Sequence, residues 1–285
     1  MKKLATITAI VAATVAAPAF AESALTLKVY NAPATSFNVN STLIMGEKDA
    51  VLLDTGFTRS DAYKIAANVL DSGKNLKTIV ITQADPDYYF GAEVLHEVFP
   101  NAQVVTSKAV LETIQKKLDA KVKTWSPRMG NNAPRTPFLP TAMTGNSLTL
   151  DGQTIELRGT TGTLAHRPYV WIPSIKTIAG DVNTFGGMHA WTADTATPAL
   201  RNAWIKRLDE MKALQATTVV AGHGIANSPT VIDDTRGYLV KFEQAVSTSK
   251  DSATMIETMK KAYPAFGGAY NLELGAKVAK GEVKW

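Results

Sequence analysis

The chain has 285 residues, 45% of them hydrophobic, enough to bury one large core or two moderate ones. It has no cysteine, which excludes disulfides, thiolate zinc ligands and cysteine nucleophiles together. Its formal net charge of +5, which drops to 28 basic against 25 acidic residues once Lys2 and Lys3 are set aside, is too small and scattered to argue for nucleic acid as a partner.

Lys2 and Lys3, the uncharged run from Leu4 to Val15 and Ala19-Phe20-Ala21 before Glu22 form a Sec-type signal peptide over residues 1–21. No later apolar run reaches 18 residues. The expected mature chain, 22–285, is therefore periplasmic or secreted, with no stable membrane insertion after signal cleavage. Leu25 to Tyr30 alternates like an edge strand, and Phe37–Met45 and Ala50–Leu53 read as strands around the turn Gly46-Glu47-Lys48-Asp49. Thr58-Arg59-Ser60-Asp61 has capping-box spacing, and Ala62, Ile65, Ala66, Val69 and Leu70 then make one helical face that ends near Gly73. Lys77–Thr82 is a strand, and Phe90–Phe99 is a helix stopped by Pro100.

Ala102–Thr106 and a helix over about 108–118 follow. Pro127, Pro134, Pro137 and Pro140 predict a long surface loop over 124–145, of the kind that often forms a lid or rim. Asp151-Gly152 predicts a hairpin between Ser147–Leu150 and Thr154–Arg158; Pro173-Ser174 joins Tyr169–Ile172 to Lys176–Ala179. Ala199–Leu214 is a helix with Trp204, Leu208, Met211 and Leu214 inward, Thr217–Ala221 is the last strand, and 230–246 and 253–262 are helical. Two sheets packed together with helices outside would satisfy this inventory.

Three of the strands end in polar residues: Thr82-Gln83-Ala84-Asp85-Pro86-Asp87-Tyr88, Gly180-Asp181 and Gly222-His223-Gly224. Strand carboxyl ends are where α/β sheets bind ligands, so the three could meet at one edge. Taken singly, Asp-Pro-Asp before a helix is a turn and N-cap, and a Gly-flanked His is a hydrogen-bonded loop residue. No Gly-x-Ser-x-Gly occurs, which argues against a serine hydrolase.

The order Asp54-Thr55-Gly56, a polar loop closing on Gly91, Gly180-Asp181 and Gly222-His223-Gly224 resembles the metallo-β-lactamase superfamily over roughly residues 41–223. The resemblance implies an α/β fold, the four-layer αβ/βα sandwich, as a single domain. Laid on the family's His-x-His-x-Asp-His loop, the chain reads Gln83-x-Asp85-x-Asp87-Tyr88. Asp181 and His223 match the bridging and final ligand positions, and Asp54 the residue that supports the loop from behind. The middle ligand falls by spacing near Thr163, with His166 the nearest imidazole. The implied ligand set is thus Gln83, Asp85, Asp87, Asp181 and His223, around a divalent metal: Zn, Mn, Fe, Mg or Ca, with oxygen donors favouring the harder ions.

Two functions follow from the resemblance. In one, a metal-bound hydroxide hydrolyses an ester, lactone or amide, Asp87 orients the water, and His189 or Tyr88 stabilises the oxyanion or protonates the leaving group. In the other, no metal is bound, and a non-catalytic descendant holds a small molecule or partner in the old pocket. His166 beside Arg167 is either a rim contact for an anion or carbonyl, or a surface turn.

Overall fold

The computed structural model describes residues 24–225 and 227–285; the signal peptide expected over 1–21 lies outside the described residues. The first half runs β1 (Thr26–Asn31), β2 (Asn40–Met45), β3 (Asp49–Leu53), α1 (Arg59–Ser72), β4 (Asn75–Ile81), α2 (Pro86–Tyr89), α3 (Ala92–Val98), β5 (Gln103–Thr106), α4 (Lys108–Met129) and β6 (Thr141–Ala142). The second runs β7 (Ser147–Leu150), β8 (Gln153–Arg158), β9 (Tyr169–Ile172), β10 (Thr177–Ala179), β11 (Phe185–Gly186), α5 (Pro198–Ala213), β12 (Thr218–Val219), β13 (His223–Gly224), α6 (Thr230–Thr248), α7 (Ser252–Ala262) and α8 (Ala269–Ala279).

Strands β1 to β6 form one sheet in sequence order, antiparallel through β3 and parallel from β3 onward. The second sheet has the order β12-β10-β9-β8-β7, and β11 pairs with β13 apart from both. Side-chain alternation then sets the layers. Ile44, Val51, Leu53 and Val80 face Ile155, Leu157, Val170 and Ile172 between the sheets. Their neighbours Leu43, Leu52, Ile79 and Ile81 turn outward onto Ile65, Val69, Leu95 and Ile114 of α1, α3 and α4. On the far side, Trp171, Ile178 and Val219 pack on Trp204, Leu208, Phe242, Met255 and Leu272 of α5 to α8. The period of two along each strand puts alternate residues into different cores, and the result is helix, sheet, sheet, helix.

Local signals behave as their chemistry requires. Thr58 and Asp61 make the reciprocal capping box at the start of α1, and Gly73 ends it in the left-handed region. Asp151 and Gly152 both take positive φ, 44° and 84°, as a two-residue I′ hairpin turn needs. The expected loop over 124–145 is corrected: α4 continues to Met129 through Pro127, and β6 adds an edge strand at 141–142. Pro127 sits in the last turn, where its missing N–H removes a single helical bond. Trp125 anchors that turn against Phe37 and Phe57, each at 5.4 Å between ring centroids. α8 was not anticipated; it docks through Leu272 and Ala276, with Gly275 approaching so close that a Cβ would stand 2.1 Å from the Thr192 hydroxyl. Among the described residues no helix is long and apolar enough to cross a membrane.

Candidate functional site

The site forms where β3, β4, β10 and β12 run out along one edge of the sandwich. After β3, Asp54 is fully buried and adopts φ 61°, a conformation open to Asp because its short side chain can bond locally. Its carboxylate accepts from the Thr82 amide at 2.7 Å and the Thr82 hydroxyl at 2.8 Å. Those bonds aim the loop that follows β4. Burial pushes the Asp54 carboxyl well above the usual range, with the two Thr82 bonds acting against it. At its far end the loop passes Gly91, where a Cβ would meet the Thr55 carbonyl oxygen at 2.0 Å, so no other residue fits.

Within that loop α2 turns Asp87 and Tyr88 inward. Asp87 Oδ2 lies 2.9 Å from His223 Nε2, and the Tyr88 hydroxyl lies 3.2 Å from His223 Nδ1 and 3.0 Å from the Asp181 carbonyl oxygen. A carbonyl only accepts, so the single phenolic proton goes to Asp181, and His223 Nδ1 donates to the phenol oxygen. Burial, with Asp87 adding to it, pushes the Tyr88 phenol well above its ordinary value, so it keeps that proton. The imidazole is held flat against Phe185, with ring centroids 4.9 Å apart and planes 3° from parallel.

Asp181 follows β10 but folds its carboxylate into its own loop. It accepts from the Asn183 amide at 2.5 Å, the Thr184 amide at 2.8 Å and the Thr184 hydroxyl at 3.0 Å. Burial pushes it up to about 6, those bonds pulling the other way. Gln83 donates its side-chain amide to the Pro168 carbonyl at 2.9 Å. Asp85 pairs with Lys121 of α4 at 3.5 Å, and burial, then repulsion from Asp194, push it up to about 6.

Arg167 supplies the buried positive charge. Its guanidinium lies 4.2 Å over the Trp204 ring, donates Nη2 to the Val182 carbonyl at 3.0 Å, and leaves Nη1 buried without a hydrogen-bond partner. Burial draws its pKa below the ordinary value, while Asp194, Asp85 and Asp181 draw it back. Beside this cluster opens a cleft walled by Phe37, Phe57, Trp125, Trp191 and Trp285, about 530 Å³ with the open solvent at its mouth included, onto which Asp85, Asp87, Lys121 and His223 also face. A second chamber, about 420 Å³ on the same measure, shares Asp85 and Trp191 and reaches Lys117, His166, Arg167 and Asp194.

A sequence model of the metallo-beta-lactamase superfamily matches residues 34–223, a span that takes in every strand end described above. The chain belongs to the metallo-beta-lactamase superfamily. Solved structures agree on the fold. A metallo-beta-lactamase family protein from Thermus thermophilus superposes with a TM-score of 0.60 at 16% identity, covering 90% of this chain and 93% of that one. The DIM-1 metallo-beta-lactamase gives 0.55 at 15% identity over 76% of this chain and 92% of its own. A metallo-beta-lactamase from Pontibacter korlensis gives 0.50 at 20%, covering 76% and 93%. A search of curated proteins finds no significant match.

Metallo-beta-lactamase superfamily members typically bind divalent metals, and membership gives this chain a hydrolase-type fold. Its own donor set does not fit a divalent ion. Among the described residues no three His, Asp or Glu side chains come together as a group that could hold a metal. The five expected ligands share one edge, yet Gln83 is bonded to Pro168, Asp85 to Lys121, Asp87 to His223, Asp181 to Asn183 and Thr184, and both nitrogens of His223 are engaged. His166 does not complete the set: it lies in the second chamber, where burial and then the Arg167 charge lower its pKa to about 4. His189 lies outside the cleft, with Nδ1 3.2 Å from the Tyr238 hydroxyl and its ring edge-on to Phe266. Arg167 is buried within the site rather than placed at a rim. Lys121, Asp194 and Trp285 were not anticipated, and only their place in the fold brings them here.

Proposed function

We infer that this member of the superfamily is a ligand-binding protein, exported to the periplasm or outside the cell, that holds a small molecule in the aromatic-walled cleft without a metal. The observation that carries the reading is that, among the described residues, no three of the expected ligands converge as a group, and that His223, the one imidazole among them, is bonded to protein groups at both ring nitrogens. Detaching a carboxylate from three donors, as at Asp181, leaves buried amide and hydroxyl groups unpaired, which costs about 1–3 kcal/mol for each. Aromatic walls with a few convergent polar groups are the usual lining of a small-molecule pocket.

The second reading, a hydrolase using a metal-bound hydroxide held by Gln83, Asp85, Asp87, Asp181 and His223, has one observation in its favour. Asp85 and Asp181 are both pushed up to about 6, and a cation beside them would relieve that. Metal content decides between the two. Protein incubated with Zn, Mn, Fe, Mg or Ca and then desalted is expected to retain less than stoichiometric metal. One ion per chain, lost in both Asp181→Ala and His223→Ala, would establish the hydrolase reading instead.

A further inference from the structure

We propose that the cleft takes a small organic cation, an ammonium group carrying an apolar or aromatic substituent. The proposal rests on the ligand-pocket reading and adds the charge and shape of the ligand. Three features of the cleft point the same way. Its walls present aromatic rings in two groups: Phe37, Phe57 and Trp125 meet at centroid distances of 5.2 to 5.4 Å, and Trp191 meets Trp285 at 5.3 Å. Ring faces carry negative quadrupole charge and attract ammonium groups, most strongly where water is excluded.

Both carboxylates that face the cleft, Asp85 and Asp87, lie in the same loop. Only Oδ2 of Asp87 is hydrogen-bonded among the described residues, which leaves Oδ1 for a ligand. The chain also places an ammonium of its own at this spot: Lys121 Nζ sits 5.8 Å from the Trp285 ring centroid and 3.5 Å from Asp85. That is the arrangement, a cation between an aromatic face and a carboxylate, that a ligand ammonium would adopt. An anion would meet Asp85 and Asp87 at close range; the basic groups on the cleft are already taken, Lys121 by Asp85 and His223 by Asp87, and the buried guanidinium of Arg167 opens onto the other chamber.

The test is a tryptophan-fluorescence titration of the full chain with three probes of similar size: benzyltrimethylammonium, benzyl alcohol and benzoate. The cation is expected to give a saturable change and to bind at least about tenfold more tightly than the alcohol, with no saturable response to benzoate. Trp285→Ala and Asp87→Asn should each weaken the cation by about fivefold or more. Lys121→Met, which removes the resident ammonium from a helix surface, should tighten it and also controls for a misfolded Asp87 variant. Benzoate binding as well as the cation, or no response to any probe, overturns the proposal. The ligand-pocket reading fails separately, through stoichiometric metal.

Discussion

Arg167 is the residue whose removal tests the site most directly. Its guanidinium is buried against Trp204 and opposes Asp194, Asp85 and Asp181. Arg167→Met keeps the bulk of the stem and deletes the charge, which leaves Lys121 and Lys117 to balance Asp85 and Asp194. Among the described residues the guanidinium makes no direct ion pair; losing its bond to Val182, about 1–3 kcal/mol, and its desolvated stacking on Trp204, about 2 kcal/mol, gives an expected loss of about 3–5 kcal/mol in a urea titration followed by circular dichroism. At about 2–4 °C per kcal/mol for a chain of this size, the thermal midpoint should fall by about 10 °C. Arg167→Lys retains the charge without the planar fork or the stacking, and should lose about half as much. If Arg167→Met lies within about 1 kcal/mol of the parent, the guanidinium does not hold the site together.

Three further outcomes are expected. Asp54→Ala leaves the buried Thr82 amide and hydroxyl without their acceptor and should cost about 2–4 kcal/mol in urea unfolding, while Asp54→Asn, which keeps an oxygen and tolerates the left-handed backbone, should cost less than half of that. Gly222→Ala would place a Cβ 2.0 Å from the Asp181 carbonyl oxygen, so a thermal scan should show a loss of about 2–4 kcal/mol. His166 is neutral in the folded state down to about pH 4, whereas in the unfolded chain it takes up a proton near its ordinary 6.5. The unfolded state thus binds more protons between pH 6.5 and 4, and this contribution destabilises the fold as pH falls through that window. His166→Asn should remove about 1 kcal/mol of that decline, a figure discounted for screening at a partly exposed ring. Asp85 and Asp181, pushed up to about 6, act in the opposite sense, so the parent-minus-variant difference is the quantity to plot.

What the sequence made legible was local. The capping box at Thr58 and Asp61, the Asp151-Gly152 turn and the alternation in β2 to β4 each follow from residues within one turn or strand of each other. The convergence of the strand ends after β3, β4, β10 and β12 was legible too, because strand carboxyl ends collect on one side of an α/β sheet. Contacts across long sequence separations were not. Arg167 reads as a surface residue until Trp204, 37 positions later, covers it. Pro127 reads as the start of a loop, yet Trp125 is fixed by Phe37 and Phe57, which no window around residue 125 contains. Trp285 gains its role only because α8 brings the chain back over Asp194, whose carboxylate accepts its indole N–H at 3.0 Å.

On the metal-free reading proposed above, the same distinction explains how the backbone of this site stands without an ion. The backbone of the site depends on Asp54 holding Thr82 and on the close approaches at Gly91 and Gly222, none of which involves a metal. The ligand positions are free to change provided that each new side chain finds a partner, since a buried carboxylate or amide left unpaired costs more than the bond itself is worth. Each one does: Gln83 with a carbonyl, Asp85 with Lys121, Asp87 with the imidazole of His223, Asp181 with two amides and a hydroxyl. Charge balance is met in the same way, by Arg167, Lys121 and Lys117 against Asp85, Asp181 and Asp194. A single imidazole put back at position 83 or 85 would therefore lose a bond and gain no neighbouring ligand. On that reading a metal site would require several of these pairs to be undone together, and Gln83→His or Asp85→His alone should bind no more metal than the parent.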